Sequence, residues 1–244
     1  MNKSVLAIAA TLALTALPAI SQAEDNPLSF NVGLTTDYRY RGISQSRLKP
    51  AVQGGVDYAL PAGFYVGVWA STIRWIRDVP GGGAGAEIDL YGGLKGEIAP
   101  GLAYDVGVLT YQYPRHRLTP HPNTTELYGA MTFGPATVKY SHSVTNTFGN
   151  TDSKNSFYLE GAATFEVGGG VSLTPHMGYQ KIKGPNSGVG SYTDYSLTAS
   201  MDLSGFVVSA AIVGTDADKV FYSSPANGKE LGKPGIVLAV KKTF

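Results

Sequence analysis

Apolar and polar residues alternate strictly in the stretch 28–41, which reads LSFNVGLTTDYRYR. The apolar and aromatic side chains share one parity, and the small, polar and charged ones share the other: Leu28, Phe30, Val32, Leu34, Thr36, Tyr38 and Tyr40 against Ser29, Asn31, Gly33, Thr35, Asp37, Arg39 and Arg41. Successive side chains of a β-strand point to opposite faces. The pattern therefore predicts one strand over 28–41, with an apolar face and a polar face.

The same period of two recurs along the rest of the chain. It is clear in 88–98, 102–112, 125–133, 156–165 and 192–202, and weaker in 51–60, 64–76, 136–147, 171–182, 206–216 and 232–244. Strands of this kind are half-buried, with each face in a different environment. The chain is therefore predicted to contain about twelve strands.

The predicted connections have two lengths. Short ones rich in Gly and Pro, which favour tight turns, fall at 60–63, 99–101, 134–136, 168–170 and 203–205. Longer polar stretches fall between them at 42–49, 77–87, 114–124, 148–155, 184–191 and 217–231. Short periplasmic turns and longer extracellular loops are typical of outer-membrane barrels. We therefore predict an all-β fold, a single antiparallel transmembrane β-barrel of about twelve strands.

A soluble β-sandwich would also alternate, so composition has to separate the two folds. Charged residues make up only 15% of the chain, against about 25% in ordinary soluble domains. Gly and Tyr are abundant, at 31 and 15 of 244 residues, and there is no Cys to form a disulfide. Aromatic residues also cluster near the ends of the apolar faces, as the girdles of a membrane barrel require. These features favour the barrel.

The N-terminus predicts export. A basic start at Lys3 precedes an apolar run from Val5 to Ile20 and the small residues before Ala23. This is the layout of a signal peptide over 1–23 that is cleaved after Ala23, which leaves 24–244 as the barrel domain. An uncleaved anchor helix is the alternative, although the run is shorter than the ~20 residues that a span needs. The predicted location is the bacterial outer membrane.

The polar parity carries the charged side chains, which the barrel would place in its lumen. The predicted lumen-lining residues are Asp37, Arg39, Arg41, Asp57, Asp89, Lys95, Glu97, Asp105, Glu126, Lys139, Glu160, His176 and Asp194, together with Lys241. A hydrated lumen would make the protein a porin-like channel for passive diffusion of small polar or ionic solutes. Alternatively, Arg39 and Arg41 bind nearby carboxylates and plug the barrel, which leaves a structural or adhesive protein. Both hypotheses stay open.

A lipid hydrolase is a third hypothesis. The stretch KYSHSVTN (139–146) is similar to the histidine-containing stretch of outer-membrane phospholipases. However, Val144 occupies the position two residues after His142, while Ser141 and Ser143 belong to the opposite face. A serine nucleophile and its base must approach within about 3 Å on one side. We therefore predict no enzymatic activity.

No cofactor or metal site is predicted. The remaining histidines, His116, His121 and His176, lack the spacing of metal ligands. The net charge of +1 gives no attraction to nucleic acid, and no oligomeric state is indicated. The arginines of RWIR (74–77) and RHR (115–117) fall at the outer rim, where lipopolysaccharide phosphates are expected. Membrane lipids, lipopolysaccharide and small solutes are therefore the predicted partners.

Two resemblances add to these predictions. The final strand ends on Phe244, and such a terminal Phe resembles the signal that the barrel-assembly machinery reads in outer-membrane proteins. The stretches LTTDYRYRGISQSRLKPAVQGGVDYAL (34–60) and GFYVGVWAS (63–71) resemble the opening of the TorF-type porin family of proteobacteria, formerly described as conserved proteins of unknown function. This resemblance implies an outer-membrane β-barrel with a transport role.

Overall fold

The computed structural model describes residues 26–244. The predicted signal peptide 1–23 and the cleavage after Ala23 lie outside these residues. The strands are β1 (Leu28–Thr35), β2 (Arg39–Tyr40), β3 (Ile43–Ser44), β4 (Ala51–Ala59), β5 (Phe64–Thr72), β6 (Ala86–Ala99), β7 (Leu102–Gln112), β8 (Thr124–Phe133), β9 (Ala136–Ser143), β10 (Phe157–Ala163), β11 (Phe165–Gly168), β12 (Val171–Lys181), β13 (Tyr192–Leu203), β14 (Phe206–Thr215) and β15 (Gly235–Thr243). One-turn helices cover Pro61–Gly63, Trp75–Asp78 and Ser187–Gly190. Among the described residues, no helix has the length and apolar character needed to cross a membrane.

Every barrel strand pairs antiparallel with its neighbours along the chain, and the first strand pairs with the last. Strand β1 meets β15 in a register that runs from Asn31 opposite Thr243 to Thr35 opposite Ala239. Strands β10 and β11 are two parts of one barrel strand, interrupted at Thr164, and both pair with β12. The result is a closed twelve-stranded barrel without free edges, which confirms the predicted fold class.

The two ends of the barrel differ as predicted. The turn end has connections at Pro61–Gly63, 100–101, 134–135, 169–170 and 204–205, and both Leu28 and Thr243 lie there. The loop end has connections at 36–50, 73–85, 113–123, 144–156, 182–191 and 216–234.

The apolar parity faces outward on the barrel strands. Exposed side chains of this face include Val32, Leu34, Val56, Val66, Val68, Leu90, Val106, Val108, Leu127, Leu159, Leu197, Ile212 and Leu238. Aromatic residues border it at the turn end, where Phe30, Phe64, Phe133 and Phe206 are exposed. Towards the loop end, Phe157 lies between Tyr140 and Tyr179, with ring centroids 5.6 and 6.2 Å apart. An apolar belt between aromatic girdles suits a bilayer.

Lumen-facing tyrosines lie across glycines of the neighbouring strand. Tyr91 is opposite Gly67 and Tyr128 is opposite Gly107, and a Cβ on Gly107 would come within 2.5 Å of the Tyr128 hydroxyl. Tyr65 is likewise opposite Gly93, and the Tyr158 ring covers Gly178, which lies diagonally across from it on β12. A large ring therefore fills the space that a missing side chain leaves next to it. This packing gives a physical reason for the abundance of Gly and Tyr.

The prediction of one strand over 28–41 is wrong beyond Thr35. Strand β1 ends there, and residues 36–50 turn into the lumen before β4 begins. Tyr38 and Tyr40, which the alternation placed on the outer face, are buried with only 3% and 8% of their surface exposed. Tyr38 and Tyr40 find polar partners and aromatic rings inside the barrel. The alternation over 36–41 is therefore not produced by a lipid-facing and a lumen-facing side of one strand.

Candidate functional site

The segment Asp37–Ser46 forms a β-hairpin inside the loop half of the barrel. Strands β2 and β3 pair through Arg39 with Ser44 and Tyr40 with Ile43. Arg41 and Gly42 form the two-residue tip with φ of 47° and 77°. Positive φ at both central residues is the type I′ geometry that matches the twist of a hairpin. Charged and aromatic residues therefore alternate here because the two faces of a short hairpin carry different kinds of side chain.

The tip fits closely against the barrel wall. A Cβ on Gly42 would lie 2.8 Å from the Cβ of Asp194 on β13 and would collide with the methyl group of Thr215 on β14. Gly42 also has the positive φ that other residues adopt only with strain. Both the conformation and the lack of space therefore require glycine at this position.

Asp37 organises the base of the hairpin. One carboxylate oxygen, Oδ2, lies 2.5 Å from Arg39 Nε, and the other, Oδ1, accepts hydrogen bonds from Ser44 Oγ at 2.5 Å and Ser46 Oγ at 3.1 Å. Arg39 also donates through Nη1 to the carbonyls of Gly42, Leu231 and Lys233, at 2.9–3.1 Å. These contacts stabilise the hairpin internally and attach it to the long connection 216–234.

Arg41 crosses the lumen to the opposite wall. Its guanidinium donates from Nη2 to Glu126 Oε2 at 2.7 Å, from Nη1 to Glu126 Oε1 at 3.1 Å and from Nη1 to Gln180 Oε1 at 2.6 Å. It also lies 4.3 Å from the centre of the Tyr158 ring. Two parallel bonds to one carboxylate are the strongest geometry available to an arginine. The hairpin tip is therefore bound to strands β8, β10 and β12.

Two tyrosines attach the sides of the hairpin. Tyr40 donates its hydroxyl proton to Tyr111 at 2.7 Å, and Tyr111 donates in turn to Glu126 Oε2 at 3.1 Å. Tyr38 donates to the carboxylate of Glu87 on β6. Because β6, β7 and β8 are consecutive in the barrel wall, the hairpin contacts a continuous section of it. Residues 37–46 have little access to solvent as a result.

The turn half of the lumen is more open. Asp57, Lys95, Asp105 and Lys241 point inward but remain partly exposed. Tyr91 donates to Asp57 at 2.5 Å and Tyr65 to Asp105 at 2.6 Å, so tyrosines hold these carboxylates against the wall. Lys95 is directly opposite Asp105 across strands β6 and β7. The charges there are mixed and accessible to solvent.

The predicted lumen residues thus fall into three groups. Asp37, Arg39, Arg41, Asp89, Glu126, Lys139, Glu160 and Asp194 are buried, and Asp57, Lys95, Asp105 and His176 are partly buried. His176 Nε2 contacts Glu160 Oε2 at 3.0 Å, and His176 Nδ1 lies 3.6 Å from Asp194 Oδ1, directly below the hairpin tip. Glu97 is an exception because it is exposed at the turn end, where its Oε1 accepts a hydrogen bond from the Gly101 amide at 2.7 Å.

The sequence interpretation missed the neutral partners of the hairpin. Gln180, Tyr111 and Tyr158 lie on the polar parity of their strands and contact Arg41 or Tyr40 directly. The predicted lumen residues are all charged or titratable, whereas these three side chains are uncharged and share the same parity. The parity itself was the signal that could have found them.

His142 lies on the outer side of β9 rather than in the lumen. Its Nδ1 is 3.1 Å from the Tyr140 hydroxyl and its Nε2 is 3.2 Å from Asn155 Oδ1. Ser141 and Ser143 are buried on the inner side. The described contacts of His142 therefore include no serine. Within residues 26–244, no group of three or more His, Cys, Asp or Glu side chains is arranged to hold a metal ion.

Comparisons with known proteins agree with this geometry. A family model described as a bacterial protein of unknown function (Gcw_chp) matches residues 21–244. No curated protein matches the chain. Among solved structures, the KdgM porin is similar at a TM-score of 0.54 and 7% identity, covering 88% of this chain and 98% of the porin.

Two further solved structures have the same fold. The NanC porin is similar at a TM-score of 0.54 and 9% identity, over 89% of this chain and 98% of its own. An outer-membrane channel from Pseudomonas putida F1 is similar at a TM-score of 0.51 and 15% identity, over 94% and 97%. At these identities the similarity establishes a shared barrel fold.

Proposed function

The chain belongs to the Gcw_chp family of bacterial proteins of unknown function, and we propose that it forms an outer-membrane channel for small polar solutes, narrowed by the inward hairpin Asp37–Ser46. The observation that carries this proposal is the contrast between the two halves of the lumen. Partly exposed charged groups line the turn half, while the hairpin occupies the loop half. A polar lumen around an inward-folded segment is a common arrangement in barrels that control passage.

The connection of the hairpin to the barrel supports a constriction rather than a structural core. Thr35 and Ala51, the residues on either side of segment 36–50, are directly opposite each other in the β1–β4 pairing. The barrel wall is therefore complete without the segment. Side-chain contacts of Arg41 and Tyr40 hold the hairpin against the barrel wall. Backbone hydrogen bonds also attach it to the loop-end connections, from the Ser44 amide to the Leu231 carbonyl and from the Arg74 amide to the Gln45 carbonyl.

A permanently plugged barrel is the second candidate, and one observation favours it. Arg39 and Arg41 each expose only 2% of their surface, and both are paired with carboxylates. Breaking one buried ion pair costs about 3–5 kcal/mol when a partner is left unpaired. A hairpin held this tightly could stay closed under all physiological conditions.

Planar-bilayer recordings with the refolded protein separate these two candidates. The channel proposal expects discrete conductance steps from the native chain, with smaller currents when bulky organic ions replace K⁺ and Cl⁻. If the native chain stays silent at all voltages while a hairpin-less variant conducts, the plugged barrel is the native form. Silence from both would remove the channel proposal altogether.

We also propose the outer membrane as the location, with the turn end in the periplasm. The apolar belt and its aromatic girdles support a bilayer environment. Phe244 lies at the turn end, where its amide donates to the Phe30 carbonyl at 2.8 Å and Lys242 Nζ lies 5.2 Å from its ring centre. Recognition of this terminal Phe by the barrel-assembly machinery remains a proposal, as does cleavage after Ala23.

The apolar belt predicts that the effect of a charged substitution on stability depends strongly on which face of a strand carries it. Leu197 is exposed near the middle of β13, and Ser196 beside it points inward. We expect Leu197→Arg to lower the free energy of unfolding by about 2–4 kcal/mol, because the charge would enter the acyl chains near the midplane. Ser196→Arg is the matched control and should cost much less. Urea unfolding in lipid vesicles measures both, and equal costs would contradict the assigned membrane face.

Lipopolysaccharide is a proposed partner at the loop end. The connections 73–85 and 113–123 contact each other there, with the Gly83 amide donating to the His116 carbonyl at 3.0 Å. They carry the exposed arginines Arg74, Arg77 and Arg117. Arg117 lies beside Gly83 and Arg77 beside Gly85, two residues further along the same connection. Guanidinium groups suit lipid phosphates. The TorF-type assignment is likewise kept as a proposal, supported by the opening motif 34–60, which covers the end of β1, the hairpin and β4.

A further inference from the structure

A cavity of about 250 Å³ lies on the loop-end side of the hairpin. Tyr40, Ile43, Ser44 and Gln45 of the hairpin segment form one wall of it. The other walls come from the long connections and the ends of neighbouring strands, and they carry the aromatic residues Trp75, Tyr113, Phe148, Tyr192, Phe221 and Tyr222. The cavity therefore lies between the solvent outside and the constriction inside.

We propose that this cavity is a binding site for a small, uncharged aromatic solute that carries one hydrogen-bond acceptor. The proposal rests on the proposed channel function and names the class of solute that the channel would admit. Three properties of the cavity lead to it: its aromatic walls, its lack of unpaired charge and one buried hydrogen-bond donor.

The aromatic walls are already assembled without a ligand. Trp75 and Tyr113 meet edge to face with ring centroids 5.2 Å apart, as do Tyr192 and Tyr222 at 5.0 Å. Phe148 contacts the Tyr40 ring in the same way at 5.4 Å. Such pairs hold each ring in place, so a ligand does not have to order them. A flat ring is the ligand shape that matches walls of this kind.

The charged residue that lines the cavity and two of its tyrosine hydroxyls have partners. Asp78 is the only charged residue among the described residues that line it, and its Oδ2 contacts Arg47 Nε at 3.1 Å and accepts from Ser224 Oγ at 2.8 Å. Tyr222 donates to the Gly190 carbonyl at 2.6 Å, and burial raises the pKa of Tyr222 well above its usual range. Tyr40 donates to Tyr111. A charged or polyhydroxylated ligand would find few free partners here.

One donor is left over. The indole Nε1 of Trp75 is buried and has no hydrogen-bond partner among the described residues. The atom is enclosed rather than open to the cavity, so a ligand acceptor reaches it only when the indole shifts towards the ligand. The bond formed then relieves the cost of an unpaired buried donor. The volume is somewhat below the ~300–1,000 Å³ of sites for drug-sized ligands, so a single ring is the expected size.

The two tryptophans of the chain make this proposal measurable. Trp69 does not line the cavity; its ring centroid lies 5.4 Å from that of Tyr38. The variant Trp69→Phe therefore leaves Trp75 as the single indole reporter. We would titrate this variant in detergent with benzamide, a neutral aromatic amide with a carbonyl acceptor. We expect a saturable change in Trp75 emission. Cyclohexanecarboxamide has the same acceptor but no aromatic ring and should bind several-fold more weakly.

Two comparisons sharpen the test. Benzoate should bind more weakly than benzamide because none of the described residues that line the cavity is a lysine or arginine. Glucose should give no saturable signal. Phe148→Ala in the Trp69→Phe background should weaken benzamide binding about tenfold by removing one wall. Thr36→Ala, at an exposed position outside the cavity, is the control that should leave binding unchanged.

Two results would overturn the proposal. The first is a Trp75 emission that changes linearly, with the same slope, for benzamide and cyclohexanecarboxamide. The second is saturation of the emission change by glucose alone, which would assign the cavity to a sugar. Fluorescence reports on the cavity while bilayer recordings report on the channel. A failure of the aromatic-solute proposal can therefore be told apart from a failure of the channel proposal.

Discussion

Replacing residues 36–50 by a two-residue Asn-Gly turn should raise the single-channel conductance several-fold and leave the barrel folded. The replacement is possible because Thr35 and Ala51 are already opposite each other in the β1–β4 pairing. Asn-Gly favours the type I′ turn that joins two antiparallel strands without distorting them. The variant would remove the whole hairpin from the loop half of the lumen and keep every barrel strand.

Planar-bilayer recordings measure this effect, and the heat-dependent migration of the folded barrel on gels shows that the fold is kept. Lys49→Ala is a suitable control, because Lys49 is exposed at the base of the segment and its loss leaves the hairpin contacts intact. The control should conduct like the native chain. An unchanged conductance in the hairpin-less variant would mean that the constriction lies elsewhere in the lumen.

Arg41→Ala should release the hairpin from the opposite wall. The substitution leaves Glu126 buried without its guanidinium partner, and both side chains are only 1% exposed in the native structure. An unpaired buried charge costs about 3–5 kcal/mol. Opening of the hairpin would hydrate Glu126 and avoid this cost, so the population of open hairpins should rise by two orders of magnitude or more.

The absence of cysteine from the chain provides the measurement. Ile43→Cys introduces one thiol on the hairpin at a position with 6% exposure, and its rate of maleimide labelling reports how often the hairpin opens. Adding Arg41→Ala should accelerate labelling about 100-fold. Adding Glu126→Gln as well should reverse much of this gain, because no unpaired carboxylate remains.

Arg41→Lys gives a finer comparison. Lysine keeps the positive charge but cannot make two parallel bonds to Glu126 while also reaching Gln180. Its labelling rate should therefore lie between those of the native tip and of Arg41→Ala. Equal labelling rates for Ile43→Cys alone and for its combinations with Arg41→Ala, with Arg41→Ala plus Glu126→Gln, and with Arg41→Lys would show that the ion pair does not hold the hairpin in place.

The fold could be predicted from the sequence because the two faces of each strand meet different solvents. Residues such as Val106 and Leu197 must face outward and Asp105 and Ser196 inward, so a period of two is repeated twelve times. The glycine-rich turns then separate the strands. Each of these signals is local, which is why a single sequence was sufficient.

The hairpin could not be predicted in the same way. Tyr38 and Tyr40 have the parity and the aromatic character of girdle residues, and a girdle is what the alternation indicated. Their burial depends on Glu87 and Tyr111, which are distant in sequence. The one local signal was Arg41-Gly42, a pair in which only the glycine is typical of a type I′ turn.

Sequence distance also bears on how the molecule is assembled. The contacts of Arg41 with Glu126 and Gln180 join residues 85 and 139 positions apart, and Arg39 reaches the Leu231 carbonyl 192 positions away. Contacts that close such large loops form late in folding. The pairing of β1 with β15 joins residues that are still farther apart, such as Asn31 and Thr243. By the same argument the interior of a nascent barrel is already narrowed when the last strand joins the first.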